Sequence, residues 1–182
     1  MRPAGKCNHY PFPATRERMN AEVAPANLSD LDAIADLWAE LVAGQREHGA
    51  HLLADGNRET ARDFLGQAVA ADNVFVAERG GETVGFVQFR VESGIYDQSV
   101  ERGFVDNVYV RPPYRGQGIG SRLLDAAERA LDARGVERVA LSVLADNDGA
   151  RRFYERHGYD AHRVELERPL ESDTPSKDDG KE

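Results

Sequence analysis

Three glycines at alternate positions, Gly116, Gly118 and Gly120, form the part of this chain best suited to phosphate chemistry. They follow an apolar stretch that predicts a strand and precede an apolar stripe that predicts a helix. Glycine lets a ligand approach the peptide N–H groups closely, and the first N–H groups of a helix have no partner inside it. Since the helix dipole and Arg115 add positive charge, the pattern predicts an anion site of phosphate or pyrophosphate size.

Residues 115–120 can be compared with three known phosphate-binding patterns. Nucleoside triphosphatase loops carry Lys and then Ser or Thr after the last glycine, and here Ser121 follows Gly120 without the Lys. The dinucleotide fingerprint, counted from Gly116, requires Gly or Ala where Ser121 stands. The third pattern, Arg-x-x-Gly-x-Gly/Ala, is matched at every fixed position starting from Arg115. A glycine-rich helix cap without a ligand is the simpler alternative for these residues alone.

A second set of residues follows at a fixed distance from the glycines. After a short apolar stretch come Asn147, Tyr154 seven residues later, and Gly158 followed by an aromatic residue. Asn favours a helix start and Gly a helix end, so propensity accounts for each residue singly but not for their spacing. Together with the glycine loop, this arrangement resembles the GCN5-related N-acetyltransferase superfamily. The resemblance extends roughly over residues 20–170 and is densest over 105–159.

The resemblance implies an α/β (α+β) fold in a single domain. Its features are a mixed, twisted central sheet, helices on both faces, and a parallel strand pair that splays apart. The predicted element order, β-α-α-β-β-β-α-β-α-β, agrees with it. Strands are predicted at residues 22–26, 74–78, 83–92, 104–110 and 136–144, with a closing strand or hairpin at 159–170. Helices are predicted at residues 31–42, 59–71 and 118–134, with a short one after Asn147.

The resemblance also implies transfer of an acetyl group from acetyl-CoA to a primary amine by direct attack, without a metal. The pyrophosphate is expected on the backbone N–H groups of the glycine loop. The pantetheine arm is expected to pair with the strand edge before it, where the Val108 N–H is the candidate oxyanion donor. The expected cofactor-binding residues are Val108, Tyr109, Val110, Arg115, Gly116, Gln117, Gly118, Ile119, Gly120 and Asn147.

Two side chains are candidates for proton transfer. A phenol has a reference pKa of about 10 and keeps its proton at neutral pH, so Tyr154 is the candidate general acid for the leaving thiolate. Its alternative role is packing as a buried aromatic, which the neighbouring Phe153 takes more naturally. An alkylamine is mostly protonated at neutral pH, so a proton acceptor is also needed. Asp106, near a position where many members of the superfamily carry Glu, is the candidate base, or else it binds the ammonium group.

The composition narrows the function classes. The chain has 182 residues and a net charge of −9, which argues against nucleic acid as a partner because phosphate backbones require basic surfaces. One cysteine, Cys7, excludes an internal disulfide and a Cys-ligated zinc site, and the five histidines show no metal-ligand spacing. No apolar run approaches membrane-spanning length and no signal peptide is evident, so a cytoplasmic protein without membrane partners is expected.

One domain is expected at residues 20–170. It is flanked by a disordered extension at 1–19 and a disordered polar tail at 171–182, both low in apolar content. Domain-like sequence begins directly after Met19, so either Met1 or Met19 is the natural start.

Two other functions of the same fold stay open. One is a non-catalytic acyl-CoA-binding or regulatory module, and the other is an acyltransferase that uses a different acyl-CoA. Lysine is absent from residues 7–176, which removes Schiff-base chemistry because it needs a lysine amine. The acceptor, a small-molecule or peptide amine, is expected to be selected by residues 44–58 and 93–103. A homodimer is common in the superfamily, and no feature of the sequence decides it.

Overall fold

The computed structural model describes residues 20–94 and 97–170, so the predicted disordered ends at 1–19 and 171–182 lie outside the described residues. The strands are β1 Glu22–Pro25, β2 Val74–Arg79, β3 Glu82–Val91, β4 Arg102–Val110 and β5 Arg138–Leu141. The helices are α1 Leu31–Gln45, α2 Arg58–Ala70, α3 Ile119–Asp132 and α4 Asp148–Arg156. None of the helices in the described ranges is both long and apolar enough to cross a bilayer.

The strands form one sheet in the order β1-β2-β3-β4-β5. Neighbours are antiparallel except β4 and β5, which are parallel. The sheet separates two apolar cores. On one face α1 and α2 pack Ile34 and Leu65 against Phe86, and on the other α3 packs Leu123 against Phe89. Each of these side chains is almost completely buried, which stabilises the fold by about 1.5–3 kcal/mol per residue. The mixed sheet with helices on both faces confirms the predicted α/β fold class.

The parallel pair β4–β5 is short and then separates. Its pairing runs from Arg102 opposite Arg138 to Val105 opposite Leu141. β4 continues to Val110, paired with β3 on one edge but with no strand on its other edge among the described residues. After β5, the chain leaves the sheet and leads into α4. The predicted splay is therefore confirmed, and the second half of β4 has an open edge.

The predicted closing strand or hairpin at residues 159–170 is wrong. The segment has no strand pairing within the described ranges, and its Val164 and Leu166 are 76% and 88% exposed. The alternation of apolar and charged residues is typical of a strand, but a strand also needs a partner that supplies the hydrogen bonds of the ladder. The segment instead contacts His51 through Glu167 at 3.0 Å, in the connection between α1 and α2.

Two smaller differences bear on the site. β5 is shorter than the predicted strand at 136–144, because the chain leaves the sheet after Leu141. The segment at 44–58, predicted as irregular, begins with the end of α1 and a 3-10 turn at Arg46–His48.

Candidate active site

A cleft of about 810 Å³ lies beside the end of β4. One wall is formed by the glycine loop, the start of α3 and one side of α4, and the other by the end of α1 with the 3-10 turn that follows it. We call these the loop wall and the α1 wall. Of the predicted site residues, Asp106 and Gln117 do not line the cleft. The predicted residues that do are Val108, Tyr109, Val110, Arg115, Gly116, Gly118, Ile119, Gly120, Asn147 and Tyr154.

Two glycines of the loop adopt backbone conformations that favour glycine. Gly116 has a φ of 73° and Gly118 a φ of 75°, in the left-handed region that other residues rarely occupy. Gly118 is the N-cap of α3, and its carbonyl oxygen accepts from the Arg122 N–H at 3.2 Å. The N–H groups that precede Arg122 have no acceptor within the helix. They stand at the positive end of the helix dipole, which suits a phosphate.

Gly120, the third glycine, differs from the other two. Its φ lies outside the left-handed region, and a Cβ added there would lie 3.5 Å from the Phe153 ring. That separation is an ordinary van der Waals contact. The described structure therefore leaves room for a Cβ at position 120, and the predicted ligand contact of Gly120 stays a prediction.

Arg115 is held against the end of β4. Its Nε donates to the Val110 carbonyl oxygen at 2.8 Å, and its guanidinium carbon lies 5.4 Å from the centre of the Tyr109 ring. A guanidinium has five N–H donors, so this one bond leaves donors for a phosphate oxygen. The side chain predicted to assist phosphate binding is thus already fixed in position.

The open edge of β4 presents main-chain groups to the cleft. On the other edge, the Arg111 N–H donates to the Val84 carbonyl oxygen of β3 at 2.9 Å. Alternate residues of an antiparallel strand face opposite neighbours, so the N–H groups of Val108 and Val110 point away from β3. They point to the edge that β5 leaves free, which suits an extended ligand that pairs as an added strand.

Tyr154 projects from α4 into the cleft and is half-buried. The rings of Phe153 and Tyr159 pack edge-on against it, with centroids at 5.1 Å and 5.8 Å. Burial raises the pKa of the Tyr154 phenol above its ordinary value, because the apolar surroundings disfavour the phenolate. Tyr154 is therefore protonated at neutral pH, as a general acid must be.

Asn147 caps the N-terminus of α4 from within the cleft. Its side-chain oxygen accepts from the Ala150 N–H at 3.0 Å, in agreement with the strong preference of Asn for this position. The side-chain amide group still has two N–H donors to offer a ligand. The helix-capping role and the predicted contact with the coenzyme arm are thus compatible.

A histidine that the sequence patterns did not single out joins the two helices of the loop wall. The Nδ1 of His157 lies 2.7 Å from the Phe153 carbonyl oxygen, and its Nε2 lies 2.9 Å from the Ser121 hydroxyl. Since a carbonyl oxygen only accepts, Nδ1 carries the proton and Nε2 accepts from the hydroxyl. The ring ties the end of α4 to the first turn of α3. Its position before Gly158 is an ordinary helix-end pattern, which concealed this role.

Asp106 lies where the register between β3 and β4 shifts. Its carboxylate accepts a hydrogen bond from the Nε of Arg90 at 3.2 Å, and 28% of its side chain is exposed. Burial raises the pKa of Asp106, and the opposing effect of Arg90 is smaller. The raised pKa suits a base, whereas the ion pair and the position outside the cleft lining do not. The predicted role of Asp106 as base stays a prediction.

The α1 wall holds a charged network that sequence reasoning missed. Glu40 accepts from the Tyr109 hydroxyl and from the Nε of Arg111, both at 3.1 Å. Arg111 also donates to Glu82 at 2.6 Å. Burial and the Glu40 carboxylate raise the pKa of Tyr109, which keeps the phenol as a donor. Glu40 lies between apolar core positions of α1, and no spacing rule distinguishes it from a solvated surface residue.

Comparison with known proteins identifies a family that the chain matches. Residues 35–159 match the family described as the acetyltransferase (GNAT) family, a range that includes both walls of the cleft. A curated relative is the aminoalkylphosphonate N-acetyltransferase of Salmonella typhimurium. It is 31% identical over 140 residues, which make up 76% of this chain and 84% of the relative.

Solved structures share the fold. A GCN5-related N-acetyltransferase from Ralstonia eutropha JMP134 is 26% identical with a TM-score of 0.66, covering 82% of this chain and 98% of that one. The PaiA N-acetyltransferase from Thermoplasma acidophilum, solved with coenzyme A, has a TM-score of 0.69 and covers 81% of this chain and 94% of that one. At 16% identity this second likeness shows the fold alone.

Proposed function

Because this chain belongs to the GNAT acetyltransferase family, we propose that it transfers the acetyl group of acetyl-CoA to a primary amine. The proposal is carried by one observation: the start of α3, the open edge of β4 and Tyr154 share a single cleft. In this proposal the coenzyme diphosphate binds the N–H groups of residues 116–120, assisted by Arg115. The pantetheine arm pairs with the open edge of β4 and contacts Asn147.

The proposed reaction is direct attack by the amine. The neutral nitrogen forms a C–N bond with the thioester carbonyl carbon, and the Val108 N–H stabilises the negative charge that collects on the carbonyl oxygen. One such donor contributes about 3 kcal/mol in a site that excludes water. The C–S bond then breaks, and the thiolate takes the phenolic proton of Tyr154. The proton that the amide nitrogen releases restores the phenol, so an amide and free coenzyme A are the products.

Before the attack, the acceptor ammonium must lose a proton. We retain Asp106 as the proposed acceptor, on the basis of its raised pKa. Because Asp106 does not line the cleft, the transfer would run through water. The ion pair with Arg90 opposes this role, because the guanidinium favours the charged form of Asp106.

A non-catalytic acyl-CoA-binding module and an enzyme for a different acyl-CoA are the competing functions. The position of Tyr154 in the same cleft as the open edge of β4 favours catalysis over binding alone. An enzyme for acetyl-CoA and one for a longer acyl-CoA would differ in the size of the pocket that holds the acyl group. The choice of acetyl-CoA in this proposal follows from the family match.

The test measures coenzyme binding and turnover on the same protein sample. Calorimetry with coenzyme A gives the affinity, while thiol release and mass spectrometry of the products follow transfer to a panel of primary amines. We expect binding, thiol release and an acetylated amine. Binding without thiol release for any amine would identify the module, and faster release from propionyl-CoA would identify the other acyl donor. Failure of coenzyme A to bind would remove the proposal altogether.

A further inference from the structure

The charged side chains of the cleft are divided by sign between its two walls. Arg115 and Arg156 line the loop wall, and Glu40 and Glu47 line the α1 wall. The described part of the chain contains no lysine. An anionic ligand therefore finds cations only on the loop wall, where the proposed function places the coenzyme.

Glu40 is the fixed carboxylate of the α1 wall. Arg111 lies between Glu40 at 3.1 Å and Glu82 at 2.6 Å, so two carboxylates share one guanidinium and negative charge is left over. Arg111 itself does not line the cleft. Turning it toward an anionic ligand would break its ion pairs with both carboxylates.

Glu47 is the free carboxylate of the α1 wall. It lies in the exposed 3-10 turn at Arg46–His48 and has no ion-pair partner among residues 20–94 and 97–170. Its neighbour His48 also lines the cleft, whereas Arg46 of the same turn does not. The carboxylates of Glu40 and Glu47 therefore face the cleft from the α1 wall without an Arg or Lys of that wall beside them in its lining.

We infer that the acceptor is an amine with a second cationic group, and that Glu47, supported by Glu40, binds this second group. The inference rests on the proposed function and names its substrate class. It also separates this chain from the Salmonella relative, whose name assigns it an aminoalkylphosphonate. A phosphonate placed at the α1 wall would meet two carboxylates, and among the described residues no Arg or Lys of that wall lines the cleft.

The charge change of the reaction supports the same class. The reacting nitrogen enters as an ammonium, loses its proton before attack, and leaves as a neutral amide, while the distal cation is unchanged. A dication thus becomes a monocation. Electrostatic attraction to the α1 wall is weaker for the product than for the substrate, which favours product release.

The test compares three acceptors that differ only in the distal group: a four-carbon diamine, the amino alcohol of the same length and the aminoalkylphosphonate of the same length. We expect kcat/KM for the diamine to exceed that for the amino alcohol by about tenfold, with the phosphonate lower still, as one partly solvated charge pair allows. A phosphonate that is acetylated as well as the diamine, or better, would overturn the inference.

The variant Glu47→Gln tests the residue. We expect it to lower kcat/KM for the diamine about tenfold through KM, and to leave the amino alcohol within about twofold. The matched control is Glu59→Gln, an exposed carboxylate in the first turn of α2 outside the cleft, which should change neither acceptor. Equal losses for both acceptors in Glu47→Gln would contradict selection by charge. If coenzyme A fails to bind in calorimetry, or if no acceptor is acetylated, the proposed function itself fails.

Discussion

The two walls of the cleft are built from different parts of the polypeptide. The loop wall presents mainly main-chain N–H groups, whose positions follow from the left-handed conformations of Gly116 and Gly118 and from the start of a helix. The α1 wall presents the side chains of Glu40 and Glu47. A binding site made of main-chain groups requires particular residue types at fixed spacing. A binding site made of side chains requires only that the helix face that carries them be directed toward the cleft. The first wall suits the coenzyme common to a family, and the second suits an acceptor particular to one member.

The largest effect is expected from Gly118→Val. The substitution strains a left-handed position and places a branched side chain where the diphosphate is proposed to bind, so coenzyme affinity should fall by more than about 100-fold. The matched control is Gly135→Val near the other end of α3. Gly135 also has a left-handed φ, 82°, and open space around its Cβ. Both variants should lose similar stability, about 1–3 kcal/mol, and only Gly118→Val should lose binding in calorimetry. Equal binding by the two would show that the loop wall is not the coenzyme site.

Tyr154→Phe comes next. Loss of the general acid should lower kcat by about 100-fold with little change in the KM for acetyl-CoA. Tyr159→Phe is the control, because Tyr159 packs against Tyr154 but donates its hydroxyl to Glu128 at 2.7 Å. It should lower stability and leave kcat nearly unchanged.

The pH dependence gives a second measure of Tyr154. Its pKa is raised from 10.0, so the phenol keeps its proton to higher pH and its activity is lost only as pH rises through the raised value. In the wild-type enzyme, the alkaline decline of kcat due to this group should therefore lie above pH 10 and be absent in Tyr154→Phe. An unchanged kcat in the variant would place Tyr154 outside the mechanism.

An intermediate effect is expected from His157→Ala. The variant removes the hydrogen bond with Ser121 that joins α4 to the first turn of α3, and also the bond to the Phe153 carbonyl oxygen within α4. Their loss should cost about 1–3 kcal/mol of stability. Because both the phosphate loop and Tyr154 depend on this junction, kcat/KM for acetyl-CoA should fall by about tenfold. His162→Ala, in the exposed segment after α4, should have neither effect. A loss of stability without any loss of kcat/KM would mean that the junction does not position the loop wall.

The smallest effect is expected from Tyr109→Phe. The Tyr109 hydroxyl is one of two groups that hold Glu40, and Arg111 holds it through the other. Loss of one hydrogen bond, worth about 1 kcal/mol, should raise the KM for a diamine acceptor by about threefold. The KM for acetyl-CoA should stay the same. If the acetyl-CoA value rises instead, the α1 wall contributes to coenzyme binding and the division between the walls is less sharp.

The fold was predictable for elements that have both a clear apolar pattern in the sequence and a neighbouring element to pack or pair with. The apolar stripe of α3, with Leu123 and Leu124 fully buried, and the hairpin between β2 and β3 are examples. The segment at 159–170 has the alternating pattern of a strand but no sheet edge to pair with. Alternation shows which side chains share a face, and it does not show which strand edge is available as a partner. β5 ended early for a related reason: Val143 continues the apolar run, yet it is 39% exposed after the chain has left the sheet.

The site divides in the same way. Arg115, Asn147 and Tyr154 were found from spacing, and the structure brings them into one cleft. Glu40 and His157 depend on tertiary contacts with Tyr109 and Ser121, which no local pattern encodes. Their proposed roles in catalysis and binding stay predictions until the variants are measured.

The unpaired end of β4 also has a consequence for stability. The unpaired half of the β4 edge keeps main-chain N–H donors and carbonyl acceptors with which a ligand can pair. A coenzyme that binds there would act as a temporary extra strand. Any ligand that binds only the native state shifts the unfolding equilibrium by an amount that grows with its concentration. The melting temperature of this protein should therefore rise with each increment of coenzyme A, and within a cell the supply of acyl donor would govern how long the chain survives proteolysis.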